Sequence, residues 1–159
     1  VALAHELGIH EVQQGEITTY LASQRPESAD MILLIDVLEH LTRQEIFDML
    51  DGVFRTLRPG GQSIIHVPNA EGLFGMRVRY GDATHEMAFT PQSIRQILST
   101  IGFREVRCFE DKPIPNKATR FARRLIWEAS TLFFRILLAA ETGHTTFVLS
   151  QNMLVVAKK

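Results

Sequence analysis

Cysteine is almost absent from this sequence of 159 residues, which contains the single thiol of Cys108. One cysteine can neither form a disulfide within the chain nor supply a cysteine-ligated metal cluster. Proteins that depend on disulfides usually reside in oxidising compartments, so the sequence favours a reducing one. We therefore predict a cytoplasmic protein.

The sequence also lacks a long apolar run and an excess of either charge. Its most apolar stretch, residues 125–140, is interrupted by Glu128 and Arg135, and it is shorter than the roughly 18–20 apolar residues that span a membrane. Residues 1–9 do not have the pattern of a secretory signal. With 17 basic and 18 acidic residues, the overall charge gives no reason to expect nucleic acid. We predict neither a transmembrane segment nor a nucleic-acid partner.

A capping residue is missing ahead of the first helical segment. Residues 1–7 have a helical pattern that ends at Gly8, a typical C-terminal cap. Helices usually begin after Ser, Thr, Asp or Asn, and none of these precedes the segment. We therefore expect a sequence that derives from a longer parent and is truncated at its N-terminus.

The sequence does contain an alternation of strand-like and helical segments, which is typical of an α/β domain. Residues 31–35 form a continuous apolar run, which predicts a parallel strand buried on both faces. Thr42 and Glu45 fit a capping box that starts a helix. The other predicted segments are strands at 10–13, 63–67, 103–109 and within 145–158, and helices at 17–23, 91–101 and 120–141. We predict one domain over residues 1–159, with 118–142 as a helical insertion before the last strand or strands.

Polar residues follow three of the predicted strands. Residues 14–16 follow the first strand, residues 36–40 follow the central strand, and residues 68–86 follow the next one. Ligands of parallel α/β sheets bind at the carboxyl ends of the strands. Because the three polar segments would meet at that edge, we predict a binding site there.

Three motifs in this order resemble those of class I S-adenosylmethionine (SAM)-dependent methyltransferases, particularly the branch that includes O-methyltransferases of ubiquinone biosynthesis. They are DMILLIDVLEHL at residues 30–41, LRPGG at 57–61, and Gly-Phe at 102–103. The resemblance implies an α/β, Rossmann-like methyltransferase sheet, mostly parallel with an antiparallel C-terminal strand. The glycine-rich loop and the first two strands of that fold have no counterpart in this sequence, so the strand at 10–13 would lack a neighbour.

The resemblance implies SAM as the cofactor and indicates which residues bind it. Gly15, Glu16 and Ile17 would hold the adenine, although Glu16 could equally be an ordinary helix N-cap. Asp36 and Val37 would face the methionine and sulfonium end of the cofactor. The alternative for Asp36 is a cap for the turn that follows it.

Two histidines are the predicted catalytic residues. His40 ends the DVLEH motif, and His85 lies in a polar loop at residues 80–86, which in similar enzymes closes over the acceptor. An imidazole ordinarily titrates near a pH of about 6.5, so it could remove a proton from an attacking hydroxyl. The alternative for His85 is a loop anchor. We predict that His66, inside the strand at 63–67, is a core histidine.

Asp36, Glu39 and His40 also form a candidate metal site. At the spacing i, i+3 and i+4 they would share one face of a helical turn, and an oxygen-rich set favours Mg or Mn over Zn. O-methyltransferases related to the ubiquinone branch use an acid-x-x-Glu-His motif in this way. The alternative is that Glu39 and His40 line the pocket or bond locally without a metal.

The segment at residues 120–141 is unusually apolar for a surface helix, and three arginines lie near its start. It could be a lid over an apolar acceptor, a dimer contact, a peripheral membrane helix, or a helix buried across the sheet. These alternatives stay open at the level of the sequence.

The sequence as a whole predicts SAM-dependent methyl transfer to a small-molecule acceptor, at oxygen. The alternatives are a truncated, non-catalytic interaction module and, with less support, a nucleotide-dependent oxidoreductase on a related sheet. The fold alone does not decide between them.

Overall fold

The computed structural model describes residues 1–112 and 114–159, which form a mixed α/β fold. The strands are β1 (Ala29–Ile35), β2 (Leu57–Pro68), β3 (Arg104–Glu110) and β4 (Asn152–Lys158). The helices are α1 (Ala2–Glu6), α2 (Ile17–Ser23), α3 (Arg43–Thr56), α4 (Gly75–Arg79), α5 (Pro91–Ile101) and α6 (Ala118–Thr142), with a short 3-10 helix at Leu38–His40.

The described strands form one sheet in the order β1-β2-β4-β3. β1 and β2 are parallel, whereas β4 runs antiparallel to both β2 and β3. This confirms the predicted α/β class with an antiparallel C-terminal strand. Among the described strands only the β1–β2 pairing is parallel, because β4 lies between β2 and β3 and runs against both.

The predicted strand at residues 10–13 is wrong. These residues belong to no helix or strand of the described chain, and the described β1 pairs with β2 alone. A strand is stabilised by a hydrogen-bonded neighbour, and the described residues provide none for this segment. Residues 9–16 therefore form an irregular, largely exposed connection between α1 and α2.

β2 begins at Leu57, well before the predicted start of this strand at residue 63. Ala29 pairs with Leu57, and Met31 pairs with Gln62, so β2 bulges outward between these two pairs. Gly60 has a φ of 79°, which glycine adopts without strain. A Cβ on Gly61 would lie 3.0 Å from the carbonyl oxygen of Asp30. The glycines of LRPGG thus allow the bulge to pack against β1.

The core lies between one face of the sheet and the helices α3 and α5. The predicted capping box at the start of α3 is present: Thr42 Oγ1 accepts from the Glu45 backbone N–H, and Glu45 Oε2 accepts from the Thr42 backbone N–H. Fully burying a large aliphatic side chain stabilises a fold by about 1.5–3 kcal/mol. The buried apolar residues of α3 and the facing sheet positions include Ile46, Met49, Leu50, Val53, Ile65 and Val67.

The opposite face of β1 is open. Met31, Leu33 and Ile35 are 44%, 58% and 49% exposed, whereas Leu34 is buried. The prediction that residues 31–35 are buried on both faces is therefore wrong, because the described helices cover this strand on one side only. A continuous apolar run indicates what the faces of a strand are made of, but it does not show what covers them.

α6 is exposed along much of its length, so it is not buried across the sheet. Thr131 is its one buried residue in the part of the chain that the structure describes. The guanidinium of Arg135 attaches the helix to the sheet: Nη2 donates to Oε1 of Glu110 at 2.7 Å, and Nη1 donates to the carbonyl of Phe147 at 3.0 Å. Of the helices in the described residues, none is long and apolar enough to cross a membrane.

Candidate functional site

Asp36 follows β1 directly and has a left-handed backbone conformation, with a φ of 53°. Its backbone N–H donates to the carbonyl of His66 on β2 at 3.2 Å, and its Oδ1 lies 2.6 Å from Nδ1 of His66. The left-handed conformation costs a residue with a Cβ about 1–2 kcal/mol. The two bonds to His66 therefore hold Asp36 in a conformation that an isolated loop would avoid.

His66 bridges two carboxylates. Its Nδ1 bonds to Asp36, and its Nε2 lies 3.5 Å from Oδ2 of Asp111, just after β3. This differs from the core histidine that we predicted. Ile65 and Val67 are buried on the helical side of β2, and side chains alternate along a strand, so His66 lies on the other face. The same alternation, applied to the sequence, could have revealed its position.

Glu39, His40 and His85 come together on the 3-10 helix and the loop that follows α4. One potential ligand atom from each of the three lies within 4.8 Å of the other two. The loop is held against the 3-10 helix because the carbonyl of Glu39 accepts from the backbone N–H of Glu86 at 2.7 Å and of Met87 at 3.3 Å. The structure thus unites the two predicted catalytic histidines and adds Glu39 to them.

Hydrogen bonds in this cluster determine which nitrogen of each histidine carries the proton. The hydroxyl of Thr84 donates to Asp82 at 2.7 Å, so it accepts from Nδ1 of His40, 2.9 Å away. Nδ1 of His85 donates to the carbonyl of Val78 at 3.1 Å. In a neutral imidazole one nitrogen donates and the other accepts. Nε2 is therefore the nitrogen with the lone pair in both rings, whose centroids are 4.7 Å apart.

Glu39 is the unusual member of this cluster. Its side chain is only 2% exposed, and Oε2 has no hydrogen-bond partner among the described residues. Burial raises the pKa of the Glu39 carboxyl, and the nearby Asp36 carboxylate raises it further, whereas His40 and His85 lower it. A buried carboxylate with an unpaired oxygen, close to two imidazoles, is a set of residues that could bind a divalent cation.

The predicted metal set of Asp36, Glu39 and His40 is only partly brought together. Asp36 precedes the 3-10 helix at Leu38–His40 and has a left-handed backbone, so the helical spacing that we assumed does not apply to it. Its carboxylate bonds to His66, while His85 joins Glu39 and His40. Val37, the predicted cofactor contact, is the half-buried N-cap of the 3-10 helix.

Glu16 is the N-cap of α2. Its carboxylate accepts from the backbone N–H of Thr18 at 2.8 Å and of Thr19 at 2.5 Å, and from the Thr18 hydroxyl at 2.6 Å. The bonds from Thr18 and Thr19 lower the pKa of Glu16 to about 2. The cap that we considered as the alternative is thus present. Gly15 is exposed and Ile17 is half-buried, and the adenine contact of these three residues stays a prediction.

A cavity of about 760 Å³ lies between α6 and the ends of β3 and β4, and we call it the α6 cavity. Asp111, which contacts His66, lines this cavity, whereas His40 and His85 are not among its described lining residues. Its apolar and aromatic wall is formed by Leu73, Phe74, Ile114, Ile126, Trp127 and Phe134. The volume is in the range of sites for small organic ligands. The sequence analysis did not find this cavity, because its wall comes from several separate segments of the chain.

No protein-family model matches the sequence, and no curated protein matches it either. Solved structures do match. A SAM-dependent methyltransferase from Archaeoglobus fulgidus aligns with a TM-score of 0.68 and 19% identity over 96% of this chain and 71% of its own. A possible histamine N-methyltransferase from Thermotoga maritima aligns with a TM-score of 0.65 and 13% identity over 99% of this chain and 68% of its own.

Human N-acetylserotonin methyltransferase, solved in complex with SAM, aligns with a TM-score of 0.57 and 16% identity. The match covers 92% of this chain and 33% of the human one. At these identities the likeness concerns the arrangement of strands and helices and not the activity. The chain has the class I fold of the SAM-dependent methyltransferases.

Proposed function

We propose that this chain is the catalytic part of a SAM-dependent methyltransferase that acts on a hydroxyl group of a small molecule. The observation that carries the proposal is Asp36, which His66 holds in a left-handed conformation at the carboxyl end of β1. In open α/β sheets this edge is where ligands bind. The solved structures of the same fold include one in complex with SAM, which supports SAM as the ligand of this edge.

The cofactor supplies an electrophilic methyl group, so the protein has to orient the acceptor and remove a proton. Asp36 and Val37 would position the methionine end of the cofactor, and Gly15, Glu16 and Ile17 the adenine end. Glu16 and Asp36 are both exposed.

Proton removal is the proposed task of the histidine pair. The lone pairs on Nε2 of His40 and His85 are available because Thr84 and the Val78 carbonyl engage the Nδ1 atoms. An acceptor hydroxyl that bonds to either nitrogen could transfer its proton as the methyl group arrives.

A divalent metal at Glu39, His40 and His85 is the alternative proposal for the same cluster, because an imidazole lone pair that binds a metal cannot also accept a proton. The buried, unpaired Oε2 of Glu39 supports it, since a bound cation would neutralise a carboxylate that otherwise lacks a partner. With His85 in place of Asp36, two of the three ligands are imidazoles. Imidazole ligands favour transition metals over Mg, so Mn fits this set better than Mg. When bound, the metal would polarise an acceptor oxygen.

Calorimetric titration of S-adenosylhomocysteine into this chain tests the proposal directly. Micromolar binding, about 8 kcal/mol, that is lost in Asp36→Ala would support it. Asp30→Ala is the matched control, because Asp30 lies at the opposite end of β1, where it pairs with Arg58 at 2.8 Å. Equal losses in both variants would contradict a specific role of Asp36.

A non-catalytic interaction module is the second candidate, and the open face of β1 favours it. Met31, Leu33 and Ile35 present apolar side chains to solvent, and such patches often mark protein contacts. If the chain bound no S-adenosylhomocysteine but formed a complex with another protein through this face of β1, the function as an interaction module would be supported. For either function, the single cysteine supports a cytoplasmic location.

A further inference from the structure

The α6 cavity combines charge and apolar surface in a way that the proposed function does not use. Arg120 and Arg123 line it, and both belong to the first two turns of α6. The wall also has an apolar and aromatic part, which includes Phe74, Trp127 and Phe134. We propose that the α6 cavity binds an amphiphilic molecule with an anionic head group and an apolar tail.

The cationic end of the α6 cavity is free to bind an anion. Among the described residues, no carboxylate lies within ion-pair distance of Arg120 or Arg123. The third cation of the wall, Lys112, is already paired, because its Nζ lies 2.5 Å from Glu110 and 2.8 Å from Glu128. Arg120 Nη1 donates to Oδ1 of Asn116 at 3.1 Å, which leaves the charge of Arg120 without a carboxylate partner among the described residues. The two arginines therefore supply the positive charge that a head group would meet.

The orientation of α6 adds to the attraction for an anion. The arginines lie near the N-terminus of a 25-residue helix, where the helix dipole is positive and the first backbone N–H groups lack partners within the helix. Lys117, the N-cap residue, makes no side-chain capping bond in the described chain. Phosphate and carboxylate groups bind such helix ends, and arginine contacts both of them with two parallel hydrogen bonds.

The apolar end of the α6 cavity continues onto the outside of the helix. Ile126 and Phe134 line the cavity and are 66% and 39% exposed. They adjoin the exposed apolar side chains further along α6, which are Leu132, Phe133, Ile136 and Leu137. An apolar tail longer than the cavity could therefore extend along α6 in contact with these apolar side chains.

Two buried polar atoms belong to residues of the cavity wall and lack a partner within the described part of the protein. Trp127 Nε1 and Asn152 Oδ1 have no hydrogen-bond partner among the described residues, and both residues line the cavity. A buried donor or acceptor without a partner costs about 1–3 kcal/mol. A head group with oxygen acceptors could pair with Trp127, and a hydroxyl of the same ligand could donate to Asn152.

The position of Asp111 places this ligand close to the cofactor edge. Asp111 lines the cavity and contacts His66, which bonds to Asp36 at the cofactor edge. A hydroxyl beside Asp111 would thus be separated from Asp36 by one imidazole ring. His40 and His85 are not among the described lining residues of the cavity, so the amphiphile is a neighbour of the cofactor edge and not the acceptor that bonds to the histidine pair. Its binding in the cavity does not rest on the proposed function.

Trp127 gives a direct measurement, because it is the only tryptophan of the chain and lies in the cavity wall. We expect decyl phosphate, kept below its micellar concentration, to shift the emission of Trp127 to shorter wavelength in a saturable way. Decanol and inorganic phosphate should each bind at least tenfold more weakly, because each offers one half of the ligand. Calorimetry on the same three probes provides a second readout that does not depend on fluorescence.

Substitution of the two arginines tests whether their positive charge binds the anionic head group. Arg123→Gln and the double variant Arg120→Gln/Arg123→Gln should weaken decyl phosphate at least tenfold. Arg104→Gln is the matched control, because Arg104 is exposed at the start of β3 and does not line the cavity. Circular dichroism and the melting temperature show whether each variant is folded, and Arg123→Gln alone suffices if the double variant is not.

Three results would overturn the proposal. They are equal affinity for decanol and decyl phosphate, unchanged binding in a folded Arg123→Gln variant, and a Trp127 response only to vesicles that contain anionic lipid. The last would assign α6 to a membrane surface instead of a single amphiphile. If the chain bound decyl phosphate but not S-adenosylhomocysteine, the proposal for the α6 cavity would stand and the proposed methyltransferase function would be contradicted. The two proposals can therefore fail separately.

Discussion

The Nδ1–H of His66 donates to Oδ1 of Asp36 at 2.6 Å, which joins two residues 30 positions apart in the sequence. The bond crosses from the end of β1 to β2, and it fixes the side chain of a residue whose backbone is left-handed. The role that we propose for Asp36 therefore depends on the position of His66.

His66→Ala should weaken the binding of S-adenosylhomocysteine by about tenfold, because a hydrogen bond to a charged group contributes about 1.5–3 kcal/mol. Asp36→Ala should weaken it more, since it removes the contact itself. Titration calorimetry measures both variants, and His144→Ala, at an exposed position after α6, is the control. Full affinity in His66→Ala would show that Asp36 needs no such support.

Mn²⁺ should bind to this chain, and both Glu39→Gln and His85→Ala should weaken that binding at least tenfold. Each variant removes one ligand of the cluster in which the three potential ligand atoms lie within 4.8 Å of one another. Asp36→Asn should have less than about a threefold effect, because Asp36 bonds to His66 instead. Calorimetry or the electron paramagnetic resonance of Mn²⁺ measures the affinities.

If Asp36→Asn weakened Mn²⁺ binding more than His85→Ala did, the metal set predicted from the sequence would be supported instead. A loss in Asp36→Asn with no change in His85→Ala would place the ion on Asp36, Glu39 and His40. Wild-type affinity in all three variants would show that the ion binds elsewhere.

The N-cap of α2 should make the stability of the protein depend on acid pH. The pKa of Glu16 is lowered to about 2 by its bonds to Thr18 and Thr19. A lowered pKa means that the unfolded state binds the proton first as the pH falls. The stabilisation by the charged cap is therefore complete above a pH of about 4.5 and is lost progressively as the pH approaches 2.

Glu16→Gln should remove this part of the pH dependence and leave the remainder. Urea unfolding at pH 7, 4 and 2.5 measures the effect, with Glu6→Gln on the exposed surface of α1 as the control. If Glu16→Gln followed the wild-type curve throughout, the cap would not form in solution.

Gly15→Ala should leave stability unchanged and reduce the affinity for S-adenosylhomocysteine. A Cβ at this position meets nothing within 4 Å, and its φ is not in the left-handed region. Any loss of binding would therefore come from contact with the ligand and not from the fold. The melting temperature and a calorimetric titration together separate the two, and undiminished affinity would exclude close contact between Gly15 and the cofactor.

Helix starts were predictable because their chemistry is local. Thr42 with Glu45 lies at the N-terminus of α3, where the sequence placed this capping box, and α5 begins at Pro91, the predicted start of that helix. The cap depends on residues within three positions of one another, so nothing distant can change it. The apolar run at residues 31–35 likewise predicted β1.

The candidate site was harder to predict because it depends on backbone direction and distant partners. The metal set assumed a regular helical turn after β1, but the positive φ of Asp36 turns that residue out of it. His85 lies 45 positions after His40 and reaches it through a loop that is held by Glu39. Periodicity within one element cannot show such a contact. The α6 cavity was missed for the same reason, since its walls come from separate parts of the chain.

The unpaired side of β1 also affects how the protein behaves at high concentration. In the described chain β1 hydrogen-bonds to β2 alone, and its residues 31–35 contain neither proline nor a charge. Natural proteins usually protect such an edge, because it can pair with an edge strand of another molecule. Two copies could join β1 to β1 across a twofold axis and continue the sheet from one molecule into the next. The substitution Leu33→Lys, in the middle of the exposed face, would then oppose this pairing and keep concentrated samples monodisperse.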